Sequence, residues 1–337
     1  MKIAIIGAGI CGTYLAKNLA EKGNEVAVFE KKKIVGKECC SGLFSERIFD
    51  FIPEAKPLTT NRINSAIINF PKKSINLRFR QPFFVIDHAR LDQLMAALAA
   101  QAGAQIRLNK TVDGRRLEQM ETEFARIVGC DGALSPTRAY LCGGPTPEKC
   151  VGEMRGLDPR KNTKPEFWLG VQGFEEKRDK NDFVETWATQ NGFIWKIPRG
   201  EDVEWGIMEK HEIAPKLFHE FIAAKNVVLA RLKSAIIPQG LVLPKNDHVT
   251  LCGDASGLTK PWSGGGVVWN LTQAGLLLKN FPNFLQYRKE ALRFFSLRIA
   301  LGKCAKFGAY AAGFKTPWLI PKNFNLDGDF LINIFKK

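Results

Sequence analysis
The stretch MKIAIIGAGICGTYLAKNLAEKGNEVAVFEKKK, residues 1–33, decides the fold of this chain. It opens with a short apolar run over 2–6, passes through a glycine-rich turn and continues with helical apolar spacing over 14–22. A second strand-like run follows at 25–29. Strand, turn, helix and strand in this order predict a βαβ unit at the start of an α/β protein.

The glycines of the turn have the spacing of a dinucleotide-binding motif. Gly7 permits the tight turn, Gly9 admits a pyrophosphate close to the backbone, and Gly12 lets the helix pack on its strand. Glu30 closes the second strand, where a carboxylate accepts hydrogen bonds from a ribose and repels the 2′-phosphate of NADP. The predicted dinucleotide site also includes the neighbours of these residues, Ile10, Cys11 and Lys31. The motif by itself does not choose between NAD and FAD.

The composition is that of a globular protein large enough for two packed units. Of 337 residues, 45% are hydrophobic and 25% are charged. The sequence contains no run of eighteen apolar residues, so no transmembrane helix is predicted and we expect a cytoplasmic protein. Eight cysteines and four histidines are scattered without CxxC or Cys/His clusters, which predicts free thiols and no metal site.

The net charge of +15 favours an anionic partner. Over 285–337 there are ten basic and three acidic residues, so that 10 − 3 = 7 of the excess charges lie in this region. Aromatic residues stand among them, and no nucleic-acid-binding module is present. We therefore expect peripheral contact with the cytoplasmic face of a membrane, and no nucleic acid.

Strand-like segments interrupt the nucleotide-binding unit along the chain. Runs over 62–70 and 75–85 predict strands outside the unit, with Pro71 and Pro82 as breaks. A helix is predicted over 87–102. Aromatic-rich strands follow within 151–208 and indicate one antiparallel sheet, and helices are predicted over 214–225, over 265–278 and onward to 314. Buried strands over 125–129 and 249–252 return to the first unit, so the nucleotide domain is predicted to be discontinuous.

A second signature favours FAD over NAD. Asp254 follows the strand over 249–252, where its carboxylate can bond a ribityl hydroxyl, which FAD has and NAD lacks. A helix begins shortly afterwards behind three glycines, Gly264, Gly265 and Gly266. Its N-terminus offers free N–H groups and a positive dipole to a phosphate or to the negative edge of a reduced flavin.

The three glycine-containing stretches resemble a known set of FAD fingerprints. GAGICG with Glu30, CDGALSPTR (130–138) and GDASGLTKPWSGGG (253–266) look like those of the p-hydroxybenzoate hydroxylase superfamily. Within it the chain is similar to the geranylgeranyl reductase family, because Cys40-Ser41-Gly42 stands in the place of that family's cysteine-glycine loop. FIWKIP (193–198) is similar to its aromatic-x-Trp-x-Phe-Pro lipid-site motif, with Ile197 in place of Phe and Glu204-Trp205-Gly206 where Asn-Val-Gly is expected.

The resemblance implies an enzyme with non-covalent FAD that saturates double bonds of geranylgeranyl lipid chains by hydride transfer from reduced flavin. Cys40 is the implied catalytic residue. Further implied cofactor-binding residues are Cys40, Ser41, Gly42, Arg90, Asp131 and Gly132. The substrate-binding residues proposed with it are Phe193, Trp195, Pro261 and Trp262.

Five of these residues have an alternative interpretation. Asp131 suits a capped turn, and Arg90 suits the exposed face of a helix. Cys40 also suits a small packing residue. Phe193 and Trp195 alternate on a strand and should share one face, which lines either a substrate cavity or an ordinary sheet core.

We thus predict an α/β protein: a discontinuous Rossmann-like FAD-binding domain, an inserted antiparallel β-sheet substrate domain and a helical C-terminus. The predicted boundaries are 1–60, 86–148 and 245–284 for the FAD domain, 61–85 and 149–244 for the substrate domain, and 285–337 for the basic helical region.

Two other functions stay open at this point, a flavin-dependent aromatic monooxygenase and a non-catalytic, membrane-associated flavoprotein. The external reductant, NAD(P)H or ferredoxin, is not disclosed, since no second GxGxxG motif is present.

Overall fold
The chain is described here from a computed structural model, which covers residues 1–37, 39–142, 166–329 and 331. The predicted boundary between residues 148 and 149 lies outside the described residues. The strands are, in chain order, β1 (Lys2–Ile6), β2 (Glu25–Phe29), β3 (Leu43–Ser45), β4 (Thr59–Phe70), β5 (Lys73–Ile86), β6 (Gln105–Arg107), β7 (Arg126–Gly129), β8 (Glu166–Glu175), β9 (Phe183–Ala188), β10 (Phe193–Pro198), β11 (Val203–Lys210), β12 (Ala230–Gln239), β13 (Val249–Leu251) and β14 (Asn323–Leu326). The α-helices are α1 (Ile10–Glu21), α2 (Ile48–Phe51), α3 (His88–Gln101), α4 (Gly114–Glu123), α5 (Pro136–Leu141), α6 (Ala214–Ala224), α7 (Val267–Asn280) and α8 (Phe284–Lys315).

Five strands form a parallel sheet in the order β13-β7-β1-β2-β6. Strand β1 pairs with β2 on one side and with β7 on the other, and β7 pairs with β13. The apolar run of β1 is continuous because all but its first residue are buried, as is usual for a strand covered on both faces. The predicted βαβ unit and its discontinuous continuation are therefore confirmed as the Rossmann-like part of the fold.

The other nine described strands form a larger sheet. Its order is β12-β8-β11-β10-β9-β4-β5-β14, and β3 pairs with β5. The inserted sheet is mostly antiparallel, as predicted, but β4 pairs with β9 and β5 pairs with β14 in parallel. Strand β3 belongs to this sheet, although residues 43–45 fall in the range predicted for the FAD domain.

The C-terminal region begins with the predicted helix, since α8 runs for 32 residues. The chain then returns to the second sheet through β14, so the region after 285 is not helical throughout its described part. The short strand NFNL has no sequence pattern strong enough to predict it. Among the described helices, none has both the length and the apolar composition needed to cross a membrane.

One of the described cysteines departs from the expectation of free thiols. Cys142, directly after α5, is disulfide-bonded, which no cysteine spacing in the sequence indicates. Among the described residues the free cysteines are Cys11, Cys39, Cys40, Cys130, Cys252 and Cys304. Cys11 and Cys252 are buried where the helices pack over the parallel sheet, so they behave there as small apolar residues.

Candidate active site
A cavity of about 1300 Å³ lies between the two sheets and brings the sequence-predicted residues together. The glycine turn after β1 and the N-terminus of α7 line one part of it, and the second sheet and α8 line the rest. The predicted site residues in its wall are Gly7, Gly9, Ile10, Cys11, Glu30, Lys31, Cys40, Ser41, Asp131, Gly132, Phe193, Trp195, Asp254, Trp262, Gly264, Gly265 and Gly266. Gly12, Gly42, Arg90 and Pro261 are not among the wall residues.

The three glycines of the first turn have different roles. Gly7 has φ of +101°, and a Cβ there would lie 2.4 Å from the Cys130 carbonyl oxygen. A Cβ on Gly12 would lie 2.0 Å from the Gly7 carbonyl oxygen, so only glycine lets α1 pack this closely. A Cβ on Gly9 would meet nothing within 4 Å, because Gly9 caps α1 at the cavity wall. Gly9 thus keeps space beside the helix N-terminus, where an anion binds favourably.

Glu30 binds the turn directly. Its Oε2 accepts a hydrogen bond from the Ala8 N–H at 2.9 Å, and its Oε1 accepts one from the Lys32 N–H at 2.9 Å. An ionised carboxylate has about four acceptor positions, so two remain for hydroxyl groups of a bound ribose. The side chain therefore both fixes the glycine turn and retains the capacity predicted for it.

Asp254 lies at the second signature, as its position after β13 predicts. Its Oδ1 accepts a hydrogen bond from Asn270 and its Oδ2 one from the Lys37 ammonium, both at 2.8 Å. Burial by itself raises the pKa of Asp254, but the charge of Lys37 and these hydrogen bonds hold it below its usual value. The carboxylate is therefore an ionised acceptor in the wall of the cavity.

The glycines before α7 bring the N-terminus of that helix to the cavity. Gly264 has φ of +66°, and its N–H donates to the Lys260 carbonyl at 2.9 Å. Gly266 is the N-cap and has no side chain to occupy the free amides of the first turn. This end of α7 thus has the features that favour an anionic edge.

Asp131 and Arg90 have the local roles that were the alternatives for them. The Asp131 carboxylate accepts hydrogen bonds from the Thr137 amide and hydroxyl at 2.8 Å and from the Ser135 hydroxyl, so it fixes the start of α5. Burial raises the pKa of Asp131. Arg90 is exposed on α3, and its amide donates to the capping Asp87 at 3.0 Å. The predicted cofactor contacts of both residues stay predictions.

The loop that carries Cys40 faces two groups on α3 that sequence reasoning missed. His88 and Asp92 lie one turn apart, with His88 Nε2 3.5 Å from Asp92 Oδ1, and both line the cavity with Cys40. The amide of Lys37 donates to Asp92 Oδ2 at 2.8 Å, which holds the start of the loop. The i, i+4 spacing of His88 and Asp92 is visible in the sequence, but their proximity to Cys40 is not.

Cys40 and His88 form a coupled acid–base pair. Burial by itself raises the pKa of the Cys40 thiol, but the charges of His88 and Lys37 and the Gly42 amide bring it below its ordinary value. Burial by itself lowers the pKa of His88, but negative charge on Cys40 and Asp92 raises it to about 10. The neighbouring thiol differs, since burial raises the pKa of Cys39 to about 12.

Two of the four predicted substrate residues, Phe193 and Trp195, lie on β10 and share one face of it, as their alternation predicts. Their ring centroids are 5.8 Å apart, and both rings line the cavity. The Trp195 ring covers Gly206, where a Cβ would lie 2.2 Å from a ring carbon. The smallest residue in β11 thus provides the space for the largest residue in β10.

Trp195 is held by a buried ion pair that the sequence did not indicate. Its Nε1–H donates to Glu204 Oε1 at 2.9 Å, and Arg199 Nη1 lies 2.6 Å from Glu204 Oε2. The same guanidinium donates to the Ser41 carbonyl at 2.6 Å. Burial raises the pKa of Glu204, and Arg199 opposes this shift. The pair connects the aromatic wall to the Cys40 loop.

The residues present fit a bound FAD. Gly9 leaves space at a helix N-terminus for a pyrophosphate, and Glu30 has acceptor positions left for a ribose. Asp254 is ionised where a ribityl chain would pass, and the α7 N-terminus lies beyond it. A dinucleotide turn joined to a large apolar cavity under a second sheet defines the class of FAD-dependent oxidoreductases.

Comparisons with known proteins agree with this class. The model of an NAD(P)-binding Rossmann-like domain matches residues 5–55. Digeranylgeranylglycerophospholipid reductase 1 of Methanosphaera stadtmanae is 25% identical over 294 residues, covering 79% of this chain and 71% of that protein. The digeranylgeranylglycerophospholipid reductase of Methanothrix thermoacetophila is 25% identical over 314 residues, covering 82% and 75%. These relatives confirm the resemblance inferred from the fingerprints.

Solved structures show the same fold. A geranylgeranyl bacteriochlorophyll reductase-like protein from Thermoplasma acidophilum has a TM-score of 0.71 at 18% identity, covering 98% of this chain and 89% of that one. A variant of the halogenase PltM in complex with FAD has a TM-score of 0.66 at 15% identity, covering 93% and 77%. With the reductase relatives, the fold makes the chain an enzyme, an FAD-dependent oxidoreductase, so the non-catalytic alternative is not supported.

Proposed function
We propose that the chain reduces C=C double bonds in the isoprenoid chains of a lipid, with FAD as its non-covalent cofactor. The observation that carries this proposal is the cavity, whose wall continues from the dinucleotide turn into an apolar chamber. The side chains of that chamber are mainly aliphatic and aromatic, for example Ile68, Leu77, Phe79, Val184 and Ile236. A hydrocarbon chain gains about 25 cal/mol for each Å² that it buries against such a wall.

The cofactor would be held by residues already described. Gly7, Gly9 and the N-terminus of α1 would bind its pyrophosphate, Glu30 its ribose and Asp254 its ribityl chain. Bound and reduced, FAD supplies a hydride equivalent. The role of the protein is to hold the alkene in a dry cavity and to supply the proton that saturation also consumes.

Cys40 and His88 are the groups that we propose for the proton. Both line the cavity, and His88 is buried with Asp92 beside it. Its pKa of about 10 means that the imidazole retains a proton at neutral pH, next to a thiol of lowered pKa. The Cys40–His88 pair can thus hold one proton at the cavity wall and release it when a more basic centre forms nearby.

The relatives named reductase support this proposal over the aromatic monooxygenase. Those proteins are named for a digeranylgeranylglycerophospholipid, a lipid with two isoprenoid chains. Flavin-dependent halogenases share the fold at 14–15% identity, which says nothing about the reaction. We further propose that NAD(P)H or ferredoxin supplies the electrons, and that the enzyme works at the cytoplasmic face of a membrane.

The deciding experiment is anaerobic. The purified flavoprotein is reduced with dithionite, geranylgeranyl lipid is added, and both the flavin absorbance and the lipid mass are followed. The proposal expects reoxidation of the flavin and a gain of two hydrogens per saturated bond. If the flavin stays reduced until oxygen is admitted, and an aromatic substrate is then hydroxylated, the monooxygenase is the correct function.

A pair of variants connects the reaction to the cavity. Phe193→Ala should raise KM for the lipid, because the Phe193 ring lines the chamber. Trp187→Ala is the control, since Trp187 lies on the adjacent strand β9 and its ring stacks on Trp205, away from the cavity wall. If both changes affected KM equally, the lipid would not bind in this cavity.

A further inference from the structure
Four large apolar side chains are exposed near the end of the long C-terminal helix. Phe307 and Phe314 of α8 are 77% and 39% exposed, and Trp318 and Leu319, in the 3₁₀ turn after it, are 72% and 71% exposed. We call these four residues the rim patch. Single exposed apolar residues are ordinary on protein surfaces, but two Phe, a Trp and a Leu within thirteen positions are not.

The rim patch lies beside a mouth of the cavity. Ala305 and Ala309 of α8 line the cavity and are also exposed, so the cavity meets the outside along this part of the helix. Phe307 lies between them in the chain but on another face of the helix, since residues two apart do not face each other. Leu319 directly precedes Ile320, another residue of the cavity wall. The patch is thus continuous with the elements that form this mouth.

The stretch of sequence that contains the rim patch carries charge of one sign. No Asp or Glu occurs between residues 291 and 326, whereas six Lys or Arg do. Four of these, Arg293, Lys303, Lys315 and Lys322, are exposed. Exposed aromatic rings among lysines suit the interface of a bilayer with anionic headgroups, where each nearby basic residue contributes about 1 kcal/mol.

We propose that the rim patch docks the enzyme on an anionic membrane surface, with the cavity mouth toward the bilayer. This inference rests on the proposed isoprenoid substrate, because such a chain would then pass from the bilayer into the cavity without crossing water. The aromatic rings enter the headgroup region, and the exposed lysines contact the anionic headgroups.

The test compares the FAD-loaded protein with a double variant in a vesicle sedimentation assay. Wild type is expected to sediment with phosphatidylglycerol vesicles and much less with phosphatidylcholine vesicles. Phe307→Ser with Trp318→Ser should weaken binding to phosphatidylglycerol vesicles by about tenfold or more. The matched control is Val228→Ser with Leu232→Ser, two exposed apolar residues, 86% and 63%, that do not line the cavity. The control should bind as wild type does.

A charge variant separates the two parts of the docking surface. Lys315→Glu with Lys322→Glu should weaken binding to phosphatidylglycerol vesicles and leave the residual phosphatidylcholine binding unchanged. Added salt should reduce the wild-type binding as the charge change does, because screening acts on the same contacts. We expect each variant to fold, because the changed residues are exposed. FAD content and circular dichroism check this.

The outcomes distinguish this inference from the proposed function. Failure of wild type to bind phosphatidylglycerol vesicles, or equal binding by the rim double variant, overturns the docking site whatever the reaction is. A wild-type dimer in light scattering that the rim double variant converts to monomer also overturns it, in favour of a second copy of the chain as the partner. Docking with no reduction of lipid would instead contradict the proposed function alone.

Discussion
The loop that carries Cys40 is held at both ends by single side chains of other elements. Asp92 accepts a hydrogen bond from the Lys37 amide, and Arg199 donates to the Ser41 carbonyl. Between these two attachments burial raises the pKa of the thiol, and the neighbouring His88 opposes this effect together with Lys37 and the Gly42 amide. The chemistry of the loop is therefore set by residues that are far away in sequence.

Replacing His88 should reduce the reactivity of Cys40. In His88→Gln the positive charge that lowers the Cys40 pKa is lost, so the thiolate fraction at neutral pH falls and the pH profile of alkylation moves to higher pH. Below the pKa, the alkylation rate falls about tenfold for each unit by which the pKa rises. The rate is measured with iodoacetamide and mass spectrometry of the Cys40 peptide. His211→Gln, an exposed histidine, is the control, and identical profiles for both variants would contradict the pairing.

The buried Arg199–Glu204 pair should be costly to break. Arg199→Met leaves the fully buried Glu204 without its countercharge, which we expect to lower the free energy of unfolding by about 3–5 kcal/mol. The matched change is Arg178→Met, because Arg178 and Glu201 form an exposed pair at 3.3 Å. Arg178→Met should lower the free energy of unfolding by less than about 1 kcal/mol. Urea unfolding measures both, and a similar loss in the two variants would show that burial does not decide the strength of the pair.

Two glycines of the first turn serve different ends, because Gly9 is expected to matter for cofactor binding and Gly12 for folding. Gly9→Ala should leave the stability of the FAD-free protein nearly unchanged, because its Cβ meets no atom within 4 Å. It should weaken FAD binding by about tenfold, or 1.4 kcal/mol, because the methyl group takes the space kept for the pyrophosphate. Gly12→Ala should instead destabilise the FAD-free protein by about 1–3 kcal/mol, through the close approach to the Gly7 carbonyl.

Two measurements check this difference, urea unfolding of the FAD-free protein and titration with FAD followed by flavin fluorescence. A Gly9→Ala protein that is as destabilised as Gly12→Ala would show that Gly9 serves packing. A Gly9→Ala protein with unchanged FAD affinity would show that the pyrophosphate lies elsewhere.

Elements with a strong local period were predictable, and short or interrupted ones were not. The helix predicted over 87–102 is observed as His88–Gln101, because its apolar spacing and the Asp87 cap agree. Strand β5 runs through Pro82, which was predicted as a break. The register of β4 and β5 shifts between residues 63 and 65, where β5 passes from residue 83 to residue 78, so Pro82 lies in an irregular stretch that needs no regular ladder bond from it.

The candidate site was likewise predictable only where its residues form a local sequence motif. Glycines and acids at fixed spacing reveal a dinucleotide turn, because that motif is local in sequence. The partners of Cys40 and Trp195 were missed, because His88 reaches Cys40 from α3 and Glu204 reaches Trp195 across the β10–β11 pair. Residue type and spacing do not show which side chains such packing brings together.

A buried ionic cluster attaches the C-terminal segment to the rest of the molecule. Asp329, almost fully buried, accepts hydrogen bonds from Lys260 and Ser45, with Arg47 Nε 3.8 Å away. Burial by itself raises the pKa of Asp329, but the charge of Lys260 outweighs it and the pKa lies below the ordinary value. Strand β14 and the segment after it are thereby held against the loop that precedes α7.

Asp329→Ala should lower the free energy of unfolding at pH 7 by about 3–5 kcal/mol, because Lys260 stays buried without its partner. A lowered carboxyl pKa stabilises the folded state above the unfolded value of 3.8, and this contribution is lost as the pH falls through the folded value. The difference between variant and wild type should therefore shrink below pH 3.8. Urea unfolding at neutral and acid pH checks this, and a difference that is constant with pH would assign the loss to packing.

The strands of the parallel sheet lie between residues 2 and 251, so the sheet is completed late in synthesis. While the ribosome is still adding the second sheet, β1, β2 and β7 exist without β13, and the amides before α7 have not been synthesised. A nascent chain therefore has the pyrophosphate turn and Glu30 but lacks Asp254 and the N-terminus of α7 until α7 (Val267–Asn280) has been translated. Because domains usually form as units during synthesis, we expect this one to capture its flavin late, close to release from the ribosome.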